Sequence, residues 1–129
     1  MTEKLEIYKC HICGNVIQVL INGVGELVCC SQAMEHLIPH KDENSELTEK
    51  HTPIIETENN SKFVRLKYHP MTPEHYIQFI EVFPKDKSRL YLKYLKPNEA
   101  AEFDITHLEE DIEDIEALEL CNIHGLWSN

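Results

Sequence analysis

Four cysteines within the first 30 residues constrain this chain more than any other feature of its sequence. They form a Cys-x-x-Cys pair, Cys10 and Cys13, followed after fifteen residues by the adjacent pair Cys29 and Cys30. Gly14 lets the backbone turn tightly behind the first pair, so both thiolates can face one ion. Ligation by four sulfurs at about 2.3 Å separates neighbouring sulfurs by roughly 3.7 Å, which the Cys-x-x-Cys spacing reaches. The pattern predicts a four-cysteine metal site.

Several alternatives remain open for these cysteines. In an extended chain the side chains of Cys29 and Cys30 diverge, so binding one ion with both should distort the tetrahedron. Zinc and iron both accept four sulfurs, and a closed site that only stabilises its unit fits as well as a redox site. A disulfide between the adjacent cysteines is the minor alternative. An odd count of five cysteines without a secretion signal favours metal ligation over a disulfide framework.

The chain divides into two parts near residue 40. Residues 1–38 are too few for a hydrophobic core of their own, so this unit needs a metal to stabilise it. Residues 39–50 are mostly polar and are predicted to form a linker. The remainder, residues 51–129, contains short predicted strands separated by turn sequences, which is typical of an antiparallel β-sandwich in an all-β protein. The predicted strands are 54–58, 62–68, 75–83, 89–95 and 101–106.

The segment 104–119 does not reveal its secondary structure. It contains eight acidic residues and no Lys or Arg. Apolar residues nevertheless recur in it at helical spacing, at Ile105, Leu108, Ile112 and Ile115. A helix with a solvated acidic face and a loop followed by a strand are both compatible with this pattern.

The charge of the chain excludes several classes of function. Twelve Lys and Arg oppose 23 Asp and Glu, which gives a formal net charge of -11. Nucleic acids and anionic lipids require clustered cations, so neither is an expected partner. The first residues lack the apolar core of a signal peptide, and no stretch approaches the roughly 18 apolar residues of a membrane span. We therefore expect a soluble, cytoplasmic protein.

Five further residues could bind a second metal ion. Cys121 and His124 lie one turn apart, His69 and His75 flank a loop stiffened by two prolines, and His51 precedes another proline. Each residue alone is a weak signal. Together they offer four nitrogens and one sulfur, which exceeds the four ligands of a structural zinc site. Five ligands suit a metal that prefers six and keeps one position free for substrate, which favours iron over zinc.

At this point the sequence resembles a known family, the desulfoferrodoxins, which are two-iron superoxide reductases. The resemblance covers almost the whole chain. The motifs that carry it, in order, are YKCHICGN, LVCCSQAM, EKHTPIIE, YHPMTPEHYIQFIE, LKPNEAAEF and CNIHGLW.

The resemblance implies a fold and two iron centres. Residues 1–38 would form a desulforedoxin-like domain with iron on Cys10, Cys13, Cys29 and Cys30. Residues 51–129 would form an immunoglobulin-like β-sandwich with the catalytic iron. That iron would take four equatorial imidazoles and one axial thiolate, from His51, His69, His75, His124 and Cys121.

The resemblance also implies an activity and partners. The ferrous centre would reduce superoxide by one electron to hydrogen peroxide, without releasing dioxygen. Lys50, beside the ligand His51, would steer the anionic substrate against the negative charge of the chain, and Glu49 would cap the oxidised centre. A small redox protein such as rubredoxin would supply electrons, and the chain would form a homodimer.

Two other functions account for part of the sequence. A rubredoxin-like electron carrier explains the four cysteines but leaves the histidines unused. A non-catalytic zinc protein explains the small unit alone.

Trp127, the only tryptophan, is predicted to pack the chain terminus. The histidines that match no ligand position are interpreted as bystanders: His11, His36, His40 and His107.

Overall fold

The structure is a computed structural model that describes residues 1–41 and 45–129. The described residues are almost entirely β-strand and loop, and they separate into two compact units, Met1–Ile38 and Pro39–Asn129. The predicted all-β fold, with a small desulforedoxin-like domain followed by a β-sandwich, is confirmed. No helix among the described residues has the length and apolar character that crossing a bilayer requires.

The first unit consists of short strands around a very small core. β1 is the central strand of an antiparallel sheet in the order β2-β1-β5, and β3 and β4 form a separate hairpin. The strands are β1 (Ile7–Lys9), β2 (Val16–Gln18), β3 (Val28–Cys29), β4 (Gln32–Ala33) and β5 (Glu35–Leu37). The buried apolar side chains described in this unit are Leu5, Ile7, Cys10 and Val19. So small a core agrees with a unit that depends on a metal for stability.

The second unit is a sandwich of two antiparallel sheets. One sheet has the order β10-β7-β6 and the other β12-β11-β8-β9. The elements are α1 (Glu46–His51), β6 (Ile54–Glu58), β7 (Ser61–Arg65), β8 (Ile77–Pro84), β9 (Tyr91–Tyr94), β10 (Glu102–Asp104), a 3-10 helix (Ile112–Asp114), β11 (Ile115–Cys121) and β12 (Gly125–Ser128).

Apolar side chains from both sheets form the core of the sandwich. Val64 of β7 is fully buried between exposed or half-buried neighbours, as period-two alternation predicts. On the facing sheet, Ile80 and Val82 of β8 pack into the same cluster as Ala117 of β11. Because β8 is hydrogen-bonded on both edges, it is the central strand that its continuous apolar sequence predicts.

The acidic segment 104–119 forms a loop, the short 3-10 helix and then β11. Its apolar residues Ile105, Leu108 and Ile115 are buried in the core. The loop is held from a distant strand, because the Lys62 Nζ donates hydrogen bonds to the carbonyl oxygens of Leu108 at 2.8 Å and Glu110 at 2.6 Å. Of the two structures that the sequence leaves open, the loop followed by a strand is the one observed.

Part of the segment predicted as a linker has regular structure. The backbone of His40 pairs with β12, donating to the Leu126 carbonyl at 2.9 Å and accepting from the Ser128 N–H at 3.0 Å. The helix α1 begins at Glu46 and ends at His51, so it carries the predicted ligand His51 at its last position. Residues 42–44 of the predicted linker lie outside the described residues.

Candidate metal centres

The four N-terminal cysteines converge on one point. Their Sγ atoms all lie within 4.8 Å of one another. The Sγ atoms of Cys13 and Cys29 are 3.6 Å apart, and those of Cys29 and Cys30 are 4.0 Å apart. These distances bracket the roughly 3.7 Å edge of a tetrahedron of sulfurs around one ion. All four are free thiols, so the alternative of a disulfide between adjacent cysteines is wrong.

The backbone conformation of the turn between β3 and β4 lets the adjacent cysteines face the same point. Cys30 and Ser31 have positive φ angles of 52° and 60°, a left-handed conformation that residues other than glycine rarely adopt. The reversal between β3 and β4 turns the Cys30 side chain back beside that of Cys29. The distortion that an extended chain would cause is therefore avoided by the turn itself.

The environment of Cys10 favours the thiolate form that a metal binds. The backbone N–H groups of Cys13 and Ile12 point at its sulfur and lower the pKa of Cys10 to about 6. The Gly14 N–H also donates to the Cys10 carbonyl at 2.9 Å, which closes the turn between the two cysteines. This turn is the local structure that the Cys-x-x-Cys-Gly sequence predicts.

In the second unit, four imidazole rings form a square. Neighbouring ring centroids are 4.6 Å apart for His51 and His69, 4.7 Å for His69 and His75, 5.0 Å for His75 and His124, and 4.9 Å for His124 and His51. The diagonal from His51 to His75 is longer, at 6.4 Å. Neighbouring rings are inclined by 62° to 80°. The rings therefore stand edge to face around a common centre. Ligand atoms of His51, His75, His124 and Cys121 all lie within 4.8 Å of one another, and those of His51, His69 and Glu119 form a second such group.

Hydrogen bonds on the outer nitrogens fix which nitrogen faces the centre. The Nδ1 of His51 donates to the Leu47 carbonyl at 2.7 Å, and the Nδ1 of His69 donates to the Pro70 carbonyl at 2.6 Å. A carbonyl can only accept, so Nε2 of each ring carries the free lone pair. A ligating histidine usually donates its second N–H to such an acceptor.

Two of the inner nitrogens, the Nε2 atoms of His51 and His75, are buried, have no hydrogen-bond partner among the described residues and are suited to a metal. Burial lowers the pKa of His69 to about 4 and also lowers the pKa of His51 and His75. The rings are therefore neutral near pH 7 and can offer lone pairs to a cation. Buried, unpaired and neutral nitrogens are the donor set that a metal site needs.

Cys121 lies beside this square. Its Sγ is 3.2 Å from the His69 Nε2 and 3.9 Å from the His124 Nδ1. The His124 N–H also points at the sulfur, at 3.4 Å. Burial raises the pKa of the Cys121 thiol, and backbone N–H groups of His124 and Ile123 partly oppose that rise. A bound cation would stabilise the thiolate further.

Several elements of the sandwich bring these five side chains together. His51 ends α1, and His69 and His75 lie in the loop between β7 and β8. Cys121 ends β11, and His124 occupies the turn that leads to β12, where Gly125 has a φ of +83°. A glycine at this position reverses the chain without strain and returns His124 to the side of Cys121.

Glu49 and Lys50 lie in α1, and both side chains are exposed. The positive charge of Lys50 contributes to lowering the pKa of His51 and His75, after the larger effects of burial and of the neighbouring histidines. Its charge therefore acts on two rings of the square.

The remaining histidines contact other groups. His11 pairs with Glu35, His36 stacks on Tyr8, His107 meets Tyr91 edge to face, and His40 contacts Trp127.

Two further residues lie near the square although the sequence motifs do not predict them there. Glu119 is fully buried, and one of its carboxylate oxygens lies within 4.8 Å of nitrogens of His51 and His69. Burial raises its pKa well above the ordinary value. Trp127, predicted only to pack the terminus, stacks on His51. One sequence feature could have indicated that Glu119 lies near the square, namely its position two residues before Cys121 on the same strand. Alternate residues of a strand lie on the same face of the sheet.

Comparison with known proteins connects both donor groups to one family. A family model described as desulfoferrodoxin, N-terminal domain, matches residues 2–37, and one described as desulfoferrodoxin matches residues 43–129. The desulfoferrodoxin of Desulfarculus baarsii is 42% identical over 129 residues, covering 98% of this chain and 97% of its own length. A superoxide reductase of Pyrococcus furiosus is 31% identical over 106 residues, covering 63% of this chain and 86% of its own length.

A solved structure extends the similarity to the fold of the whole chain. The crystal structure of the superoxide reductase from Treponema pallidum superimposes with a TM-score of 0.68 and 25% sequence identity. The match covers 100% of this chain and 99% of the other.

Proposed function

This chain belongs to the desulfoferrodoxin family, and we propose that it is a superoxide reductase that converts superoxide to hydrogen peroxide at the square of imidazoles. The four cysteines and the histidine–cysteine group match the two iron centres of this family. The observation that carries the proposal is the square itself, with one thiolate beside it. A purely structural metal site closes with four ligands, whereas this group offers five.

The reaction adds one electron and two protons to superoxide. Iron bound by His51, His69, His75, His124 and Cys121 would supply the electron by passing from the ferrous to the ferric state. A one-electron donor protein such as rubredoxin would return the electron before the next cycle. This balance yields one hydrogen peroxide for each superoxide and no dioxygen.

The donor residues favour an anionic substrate. Burial keeps His51, His69 and His75 neutral near pH 7. Among the five proposed ligands, only Cys121 would carry a negative charge, as a thiolate. One thiolate does not neutralise a divalent ion, and the excess positive charge attracts an anion.

Cys121 would tune the electron density of the centre. A thiolate ligand donates electron density toward the position opposite to it, as in haem–thiolate enzymes. The His124 N–H contact to the Cys121 sulfur at 3.4 Å moderates that donation. The contacts around the sulfur would therefore adjust how strongly Cys121 donates to a bound iron.

Lys50 would guide superoxide to the site. The chain carries a formal charge of -11, which repels an anion at long range. A cation whose charge acts on His51 and His75 provides a local region of positive potential beside the square. Glu49, the preceding residue on the exposed side of α1, would supply the carboxylate that protects the oxidised centre between turnovers.

The N-terminal unit would hold the second iron and support association. Its four cysteines would bind iron as a redox or stabilising centre. Several of its apolar side chains are strongly exposed, including Ile21 at 89% and Val24 at 90%. Exposed apolar surface of this kind often marks an interface, which supports a homodimer formed through this unit.

All described cysteines are free thiols, which agrees with the reducing cytoplasm as the location of this protein.

A rubredoxin-like carrier and a zinc-binding protein are the competing functions. Both use the four cysteines, but neither gives a role to four imidazoles around one centre, two of them buried and two half-buried. The reductase gives a role to both donor groups.

The stoichiometry with superoxide tests the proposal. The fully reduced protein is mixed anaerobically with superoxide, and hydrogen peroxide and dioxygen are both measured. We expect one peroxide per superoxide and no dioxygen. An electron carrier or zinc protein would leave superoxide to dismutate, which gives one peroxide and one dioxygen for every two superoxide ions.

A further inference from the structure

Trp127 contacts two of the five proposed ligands. Its indole ring stacks on the His51 ring, with centroids 4.8 Å apart and planes inclined by 22°. Its Nε1–H donates a hydrogen bond to the His124 carbonyl oxygen at 3.0 Å. The side chain is 1% exposed, so both contacts are protected from water. One residue thus connects α1 to the turn between β11 and β12.

The stack restrains a motion of His51 that its hydrogen bond leaves free. The bond from Nδ1 to the Leu47 carbonyl holds one edge of the ring. A single edge contact still allows the ring plane to tilt. An aromatic ring lying nearly parallel to the imidazole limits that tilt, because tilting would open a gap in a close-packed interior.

The hydrogen bond to His124 anchors the other ligand through its backbone. The N–H of His124 contacts the Cys121 sulfur, and its carbonyl accepts from the indole. The peptide groups on both sides of the His124 Cα are therefore held, one by a ligand and one by Trp127. This restraint acts where the chain reverses at Gly125, and it adds to the hydrogen bonds that the Asn122 side chain makes with Tyr76 and Glu74.

We propose that Trp127 is a positioning residue that orients His51 and His124 together, and so sets how tightly and with what geometry the square holds its metal. The proposal rests on the proposed metal centre but not on its reaction with superoxide. An apolar side chain of similar volume would fill the same space. It would not offer an N–H to the carbonyl of a ligand, which is the feature that distinguishes positioning from packing.

Two substitutions separate the two contacts. Trp127→Phe keeps an aromatic ring against His51 but removes the N–H donor to His124. Trp127→Leu removes both contacts. Leu126→Ala is the matched control, because Leu126 is the buried neighbour of Trp127 on β12 and adjacent residues of a strand face opposite sides. It should destabilise β12 without reorienting either ligand.

The measurements use the full chain loaded with iron. The electron paramagnetic resonance of the ferric histidine–cysteine centre reports ligand orientation, and iron retention against a chelator reports affinity. Mutation of a residue that contacts a ligating histidine typically lowers the affinity for the metal by about ten- to 100-fold. We expect Trp127→Leu to lose at least about ten-fold and to change the resonance, and Trp127→Phe to lose less but still change it. The unfolding free energy of each metal-free variant shows how much of any loss of iron comes from a less stable fold.

The outcomes are distinct. If Trp127→Phe and any folded Trp127→Leu keep the parental resonance and affinity, or if Leu126→Ala changes both to the same degree at equal stability, Trp127 only packs and the inference is overturned. Should Trp127→Leu fail to fold, Trp127→Phe decides alone. None of these readouts uses superoxide, so a chain that binds iron as described but does not reduce superoxide contradicts only the proposed function.

Discussion

The Nε2 atom of His69 lies 3.2 Å from the Sγ atom of Cys121, although 52 residues separate them in the sequence. Burial lowers the pKa of the imidazole and raises the pKa of the thiol, so both groups are neutral without a cation. A shared ion would bind the imidazole lone pair and stabilise the thiolate. The pair therefore defines the centre from which the predictions below are made.

Cys121→Ser should remove the thiolate-to-iron charge-transfer band of the ferric centre. It should also raise the reduction potential, because a hydroxyl donates less electron density than a thiolate and stabilises the ferric state less. Visible absorption and a redox titration measure both quantities. Cys13→Ser, in the other unit, is the control and should leave this band in place. An intact band in Cys121→Ser would show that Cys121 is not a ligand.

Lys50→Ala should slow capture of superoxide by about ten-fold at low salt and weaken the dependence of the rate on ionic strength. The physical reason is the loss of the positive charge that acts on His51 and His75. Pulse radiolysis at several salt concentrations measures the rate. Lys50→Arg should retain most of it, and Lys85→Ala, an exposed lysine after β8, should retain all of it. Equal rates for Lys50→Ala and the parent would remove the steering role.

The metal-free chain should lose stability as the pH falls from about 6.5 toward about 4. Burial lowers the pKa of His69 from its ordinary 6.5 to about 4, and it lowers the pKa of His51 and His75 in the same direction. Between these values the unfolded chain binds protons that the folded chain does not. The free energy of unfolding therefore decreases with falling pH.

Denaturant unfolding of the metal-free protein across this pH range measures the slope. His69→Gln should flatten it, whereas His107→Gln should not, because His107 lies away from the square against Tyr91. Glu119, whose pKa burial raises, opposes the histidines in this range but does so equally in the parent and in His69→Gln. Equal slopes for His69→Gln and the parent would therefore contradict a neutral, buried His69 imidazole.

Cys13→Ser should lower the iron content from about two ions to about one ion per chain. It disrupts the group in which the Cys13 and Cys29 sulfurs are 3.6 Å apart. Superoxide reduction by the chemically pre-reduced variant should stay within about two-fold of the parent, because the second unit supplies all five proposed ligands of the other centre. Iron analysis and peroxide yield check this together. A variant that keeps one iron but produces no peroxide would make the N-terminal centre essential to the reaction.

Local chemistry explains why the candidate metal ligands could be predicted from the sequence. The Cys-x-x-Cys-Gly turn and the proline-flanked His69 and His75 carry their geometry in a few consecutive residues. Period-two alternation likewise predicted the buried Val64 between more exposed neighbours. These signals depend on short-range sterics, which a single sequence records directly.

Long-range contacts explain what could not be predicted. The helical spacing of Ile105, Leu108 and Ile115 arises in a loop that leads into β11. Lys62 holds this loop through the carbonyl oxygens of Leu108 and Glu110, which are 46 and 48 residues away in the sequence. The left-handed turn at Cys30 uses a conformation that its residue type does not favour. The stack of Trp127 on His51 joins the end of β12 to the end of α1.

The most direct test of the account is an element-specific determination of the iron coordination in the second unit. X-ray absorption and anomalous diffraction on the reduced, iron-loaded protein would identify the metal and its donor atoms. The account predicts iron bound by four imidazole nitrogens and the Cys121 sulfur, with no protein donor opposite the sulfur. Zinc at this position, an imidazole left unbound, or a protein ligand opposite Cys121 in the ferrous state would contradict it.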